Sequence, residues 1–382
     1  MTMHIPSKLP DVGTTIFAVM SALANEHSAI NLSQGFPDFS CPEELIESVH
    51  RFMREGYNQY PPMSGVPQLR QAIADKYASL YQTALDADTE VTVTSGATEA
   101  LFCAITALVN PGDEVIIFDP AYDAYEPVIQ LSGGITRRIK LSYPDYAIDW
   151  HQVKACINAK TRLIILNNPH NPTGSILTSH DIQNLQALVS NTPVFLLADE
   201  VYEHIVFDGS QHQSLLRFED LRARSFVVSS FGKTYHMTGW KIGYCIAPPD
   251  MSAEFRKIHQ FNTFTTCTPM QYALAEFLQY SGYYRSLGEF YQNKRNHFLA
   301  RMKSSRFKAL PCHGTYFQLM SYADITDQHD IEFARKLTTE SGIASIPVSV
   351  FYGDGCDEKV LRFCFAKDTE TLDKAAEILC KI

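Results

Sequence analysis

The chain has no run of basic residues, and its net charge is −10. Neither a nucleic-acid backbone nor an anionic membrane is therefore an expected partner. It has no apolar stretch near the roughly 18 residues of a membrane-spanning helix. Its nine cysteines include no CxxC pair, and no His/Cys spacing suits a zinc site, so no metal is expected. Free thiols of this kind fit a reducing cytosol better than a disulfide-stapled secreted fold, and the expected location is cytoplasmic. Internal repeats and low-complexity linkers are missing too.

What is present is a chain of 382 residues, 45% apolar and 19% charged. That describes a globular protein with one large domain and a smaller partner. The stretch "TTIFAVMSALA" (14–24) is apolar and ends in small residues, as a signal peptide does. Two prolines, Asp11 and the polar interruptions Thr14, Thr15 and Ser21 favour a helix packed on a domain instead.

Short apolar runs recur between turn residues: "EVTVTS" at 90, "EVIIFDP" at 114, "RLIILNNP" at 162, "PVFLLADE" at 193, "SFVVSS" at 225 and "GYCIAPP" at 243. Helix-like stretches such as "ATEALFCAITALV" and "SHDIQNLQALVS" separate them. Unalternating β-branched runs between helices predict an α/β fold, its mostly parallel central sheet covered by helices on both faces. Ligands of such sheets sit at the carboxyl ends of the strands. After about residue 275 the character changes: "GTYFQLM", "DIEFARKLTTESG", "IASIPVSVF" and "VLRFCFAK" suit a smaller α+β domain with antiparallel strands. The expected division is an N-terminal segment 1–38 joining the small domain, a large domain 39–275 and a small domain 276–382.

The strand ends carry the chemistry. "LLADEVY" ends a strand at Asp199, which alone reads as a helix N-cap. "NNPHNPTG" follows another, where Asn171 alone reads as turn chemistry. In "SGATEALF" a helix starts at Gly96 and Ala97, so free N–H groups and the positive dipole end suit a phosphate, though a bare small-residue turn looks the same. "SSFGKTYHMTGW" puts Lys233 just past a buried run, where a solvated lysine is the bland reading. Together these give a phosphate cradle, a carboxylate, an amide, the Tyr202 phenol and a lysine at the ends of strands in one sheet. One ligand accounts for all five, pyridoxal 5′-phosphate: its aldehyde needs an amine, its ring nitrogen an anion, its hydroxyl donors, and its phosphate N–H groups with a cation.

From "NLSQGFPDF" to "VLRFCFAK" the sequence resembles the class I/II aminotransferases, the fold type I of pyridoxal-phosphate-dependent transferases. "SQGFPDF" and "GKTYHMTGWKIGY" make it most similar to the methionine and kynurenine–glutamine aminotransferases. The resemblance implies that Lys233 anchors the cofactor as a Schiff base and moves a proton between the substrate Cα and the cofactor. It implies that Asp199 pairs with the ring nitrogen, that Tyr202 and Asn171 bond the ring oxygen, and that Tyr122 stacks on the ring. Gly96, Ala97, Thr98, Ser230 and Lys241 would hold the phosphate. Many relatives carry arginine at Lys241, so a bidentate grip becomes a point charge here. Tyr60 would reach the phosphate from the neighbouring subunit, making a homodimer with a composite site. Arg362, inside an apolar strand, needs a partner: a buried aspartate structurally, the substrate α-carboxylate functionally, with Gly35 and Asn171 beside it.

The expected activity is transfer of the amine of a large neutral amino acid to a 2-oxo acid in two half-reactions. A C–S β-lyase acting on cysteine conjugates is the alternative on the same fold. A DNA-binding regulator is not expected, since the first motif already begins at Asn31.

Overall fold

The computed structural model describes residues 5–382; residues 1–4 of the expected N-terminal segment lie outside the described residues. The apolar stretch near the start is a helix, Ile16–Glu26, whose N-cap Thr15 accepts a hydrogen bond from the Ala18 N–H. A two-residue strand, β1 (Ile30–Asn31), follows it.

Seven strands then build one sheet: β2 (Val91–Thr94), β3 (Glu114–Asp119), β4 (Ile135–Lys140), β5 (Thr161–Asn167), β6 (Phe195–Asp199), β7 (Ser225–Ser230) and β8 (Gly243–Ile246). Their spatial order is β2-β8-β7-β6-β5-β3-β4. Only β8 runs antiparallel to its neighbours; every other pairing is parallel. Along the central strands alternate residues enter different cores. Leu163, Ile165 and Leu197 pack with the helix Gly96–Leu108 on one face, while Ile164, Leu166, Leu196 and Ala198 join the larger cluster on the other. Two buried faces explain why these strands read as continuous apolar runs.

β4 escapes that pattern. Its sequence "ITRRIK" alternates charge because it is the sheet edge, where Arg137 pairs with Glu114 and Arg138 with Asp119, each at 2.5 Å. Charged side chains on an edge also discourage pairing with foreign strands.

After β8 come three helices, Pro249–Asn262, Thr268–Phe277 and the long Gly282–Arg301. A second sheet joins β9 (Lys308–Ala309), β10 (Phe317–Ser321), β12 (Ile346–Pro347) and β13 (Val360–Cys364) in the order β12-β13-β10-β9, all antiparallel. Between them β11 (Ile343–Ala344) pairs in parallel with β1, so the N-terminal segment is stitched to the C-terminal part by backbone hydrogen bonds.

For the site, register matters most. Asn167 lies opposite Asp199 across β5 and β6, and Ser230 opposite Gly243 across β7 and β8. Arg362 sits mid-strand in β13, opposite Leu319 on one side and Ile346 on the other.

Candidate active site

The carboxyl ends of β5, β6 and β7 open into a cavity of about 250 Å³. Every residue expected at the site lines it except Tyr60.

One wall is the start of the helix Gly96–Leu108. Its N-cap, Ser95, makes no side-chain cap bond, so the first-turn N–H groups are left for something else. Gly96 has φ +77°, and a Cβ there would meet the end of the Lys241 side chain, with Nζ at 3.3 Å. A lysine lying on the positive end of a helix dipole is unfavourable unless an anion sits between them. Gly243 allows this close approach: a Cβ on it would fall 2.8 Å from the Gly96 carbonyl carbon and 2.9 Å from the Ala97 nitrogen. Ala97, Thr98 and Ser230 line the same part of the cavity, and the Ser230 hydroxyl accepts from the Gly232 N–H at 3.2 Å. Here the arrangement is built for a small anion.

The Asp199 side chain is buried at the end of β6. No helix follows it, so the N-cap alternative has no helix to cap. One carboxylate oxygen accepts from the Tyr125 hydroxyl at 2.8 Å, the other from the Val201 N–H at 3.4 Å. Burial raises its pKa to about 6, against these hydrogen bonds. Asn167 ties the region together: its Nδ2 donates to the Asp199 carbonyl at 2.9 Å and its Oδ1 accepts from the Asn171 N–H at 2.7 Å. Tyr202, also buried, has its ring edge-on to Tyr316. The Tyr122 ring lies edge-on to Tyr125, its phenol pushed up to about 12 chiefly by burial.

Lys233 occupies a single helical turn, Phe231–Thr234, directly after β7. Its Nζ donates to the Gly35 carbonyl at 3.1 Å and to the Tyr316 hydroxyl at 2.9 Å. It is no solvated surface lysine: burial, with the positive Arg362 and Lys241 nearby, brings its pKa down to about 8.

Arg362 is 1% exposed and, among the described residues, no carboxylate lies within ion-pair reach of it. Its two terminal nitrogens donate to Asn171 Oδ1 (2.8 Å) and the Ser33 carbonyl (2.9 Å), while Nε has no partner. The guanidinium lies 3.9 Å from the centre of the Phe317 ring and 5.1 Å from that of Phe17. Burial lowers its pKa, yet the charge stays. Among the described residues, then, no buried aspartate serves as its structural partner.

Tyr60 stands apart, 84% exposed, its ring edge-on to Phe264 in another surface recess.

Residues 27–379 match the family model for aminotransferase class I and II. The chain belongs to this family. It is 51% identical to the methionine aminotransferase of Escherichia coli over 374 residues, 98% of this chain and 97% of that one. A solved structure of the E. coli protein YbdL, ascribed a methionine aminotransferase function, superposes with a TM-score of 0.98 at 50% identity, covering both chains completely. The N-succinyldiaminopimelate aminotransferase of Mycobacterium tuberculosis superposes at 0.95 with 34% identity, over 99% of this chain and 100% of that one. The kynurenine–oxoglutarate transaminase of Dictyostelium discoideum is 34% identical over 99% of this chain and 96% of its own.

Sequence reasoning missed several residues of this aminotransferase's cavity region. Tyr125 has a signal only in hindsight, lying in the same "DPAYDAY" as Tyr122. Tyr316 lies in "GTYFQLM", which reads as plain strand. Phe17 arrives from the N-terminal helix, far away in sequence. Beneath β7 and β8 a buried pair, Lys76 and Glu203 at 2.7 Å, is closed by hydroxyls of Tyr77, Tyr244 and Ser229. Burial opposes the charge on Glu203, but Lys76 wins and holds it well below the usual carboxylate range. This network braces Ser229, the neighbour of Ser230.

Proposed function

We propose that this aminotransferase carries pyridoxal 5′-phosphate in the cavity and moves the amine of a large neutral amino acid, of methionine, aromatic, kynurenine or glutamine type, to a 2-oxo acid. The donor set fits the cofactor. An uncapped helix start beside Lys241 suits its phosphate, with Gly96, Ala97, Thr98 and Ser230 around it. Asp199 suits the ring nitrogen, Tyr202 and Asn171 the ring oxygen, Tyr122 the ring face and Lys233 the aldehyde. When bound, the cofactor supplies that aldehyde and a ring that draws electron density from the substrate Cα.

The protein's own residues do the rest. Lys233, with its pKa near 8, spends an appreciable fraction of time as a free base at neutral pH and can take the Cα proton and return it. Asp199, buried and braced by Tyr125, would supply the anion that keeps a bound pyridine nitrogen protonated. Arg362 grips the α-carboxylate of donor and acceptor alike, a charged fork meeting a planar anion.

The unpaired Arg362 is the observation that carries the substrate class. The cationic side chains lining the cavity are Lys233, Lys241 and Arg362. With the two lysines engaged, one guanidinium is left for one carboxylate. A second acidic group on the substrate has no partner, which disfavours an N-succinyldiaminopimelate-type donor. Phe17, Leu101, Val201 and Phe317 supply apolar lining for a large neutral side chain. The relatives named above are all aminotransferases, and no feature of the cavity favours a β-lyase.

The proposal extends to a homodimer whose sites share Tyr60. Its exposure, with the exposed ring of Phe264 edge-on to it, supports a role across a subunit boundary. No described helix is long and apolar enough to cross a membrane, and the nine cysteines are free, which fits a cytoplasmic enzyme.

Borohydride reduction of the yellow protein should fix the cofactor on Lys233, and a donor panel should rank methionine, phenylalanine, kynurenine and glutamine above aspartate. Label on another lysine, or aspartate as the best donor, refutes the reading. Mixing Lys233→Ala with Tyr60→Ala subunits should regenerate one intact site per dimer; mixed dimers without activity refute the shared site.

A further inference from the structure

The Lys233 amine is held by an arrangement that the activity alone does not explain. Its Nζ donates to two acceptors, the Gly35 carbonyl and the Tyr316 hydroxyl. Tyr316 in turn donates its own proton to the same Gly35 carbonyl at 2.5 Å, which leaves its oxygen lone pairs facing Lys233. The three atoms form a closed triangle. The phenol has no freedom to leave it: Tyr316 is fully buried, with its ring against Tyr202, Phe317 and Tyr291 at 5.2, 4.9 and 5.5 Å. Gly35 is equally fixed, since a Cβ there would lie 2.9 Å from the Phe317 ring.

A neutral amine has two N–H bonds and one lone pair. Here Gly35 and Tyr316 take both N–H bonds, and the lone pair is left for the cavity that Lys233 lines. We infer that Tyr316 is a positioning residue: it fixes the released Lys233 amine so that its lone pair meets the substrate Cα–H. In that step the C–H bond breaks, the proton joins the lysine nitrogen to make an ammonium, and the electron pair stays with the substrate carbon. The same ammonium later returns the proton, so no further reagent is needed. Burial raises the Tyr316 phenol well above its ordinary value, which keeps it a hydrogen-bond partner rather than a competing base.

The inference rests on Lys233 being the reacting amine, and the test separates the two claims. Tyr316→Phe keeps the ring contacts and removes only the hydroxyl. Tyr291→Phe is the matched control, because that neighbouring buried hydroxyl has no hydrogen-bond partner among the described residues. Three readouts are compared. The first is the pH midpoint of Lys233 acylation in the full-length, cofactor-free protein, followed by peptide mass spectrometry. Arg362, Lys241, Asp199, Cys364 and Tyr202 surround the amine and stay in place in both variants. Losing the Tyr316 acceptor disfavours the ammonium, so the midpoint should fall in Tyr316→Phe and stay put in Tyr291→Phe. The second is steady-state turnover of methionine: kcat should fall about tenfold, the worth of one hydrogen bond, with KM within about twofold. The third is the primary isotope effect with Cα-deuterated methionine, which should rise as proton transfer becomes slower. Identical behaviour of the two variants in all three overturns the inference, as does a raised KM with unchanged kcat. Borohydride label on another lysine would overturn the Lys233 assignment, whereas the acylation midpoint reads the Tyr316 contact independently.

Discussion

Replacing Arg362 separates scaffold from substrate grip, because the two roles predict opposite ledgers. A buried ion pair broken from one side costs roughly 3–5 kcal/mol, since the other charge is orphaned. Arg362 has no carboxylate to orphan: its contacts are the Asn171 amide oxygen, the Ser33 carbonyl and the face of Phe317. Arg362→Lys keeps the charge and can reach one of the two oxygens, so one hydrogen bond is lost, about 1–2 kcal/mol of stability. The catalytic loss should be larger. A fork that meets both oxygens of a carboxylate becomes a point charge, which forfeits about 2–3 kcal/mol, or roughly thirty- to hundredfold in kcat/KM. Methionine, phenylalanine and glutamine should lose by a similar factor, because they share only the α-carboxylate. Amines without a carboxylate should be almost indifferent. The assay pairs thermal unfolding of the two proteins with kcat/KM for three donors, measured well below either melting point. A variant that loses 3–5 kcal/mol of stability but turns over all donors normally would make Arg362 a structural residue and refute the reasoning.

Asp199→Ala should slow Cα proton removal in single turnovers by several powers of ten without unfolding the protein, and Asp199→Asn should be nearly as poor; near wild-type rates would make Asp199 structural only. In the cofactor-free protein the raised pKa of Asp199 has a definite sign: the folded state keeps a proton that the unfolded chain releases above the ordinary 3.8, so this contribution is full below that pH and lost as pH rises through about 6. The stability difference between wild type and Asp199→Asn, from urea unfolding across that window, should therefore shift against the wild type as pH rises, and a flat difference would refute the shift. Lys241→Arg should retain cofactor affinity better than Lys241→Met in equilibrium dialysis; equal affinity in all three proteins removes Lys241 from the site. Gly243→Ala should weaken cofactor binding more than it lowers the melting temperature, because its Cβ would press on the Gly96–Ala97 peptide that offers the N–H groups; unchanged affinity would mean that close approach is not needed.

What could be read in advance follows from how local each feature is. The central strands β5, β6 and β7 were visible because burial on both faces leaves an unbroken apolar run, and their ends fell within a residue or two of the turn signals. β4 was invisible, since an edge strand that pairs Arg137 and Arg138 with acids on β3 and beyond has the composition of a loop. The same locality governs the site. Asp199, Lys233 and Asn171 stood out as polar residues at the ends of apolar runs. Tyr125 and Tyr316 did not, because a tyrosine in apolar company is the ordinary core residue, and only the tertiary neighbour shows what its hydroxyl touches. Lys241 and Gly96 show the limit most clearly. A hundred and forty-five positions separate them, and each alone is unremarkable: a small-residue turn and a lone cation. Brought together by the pairing of β2 with β8, they set a lysine against the positive end of a helix. Two like charges are held in contact there by the sheet itself, and the anion that would reconcile them is the reason to expect a phosphate at that spot.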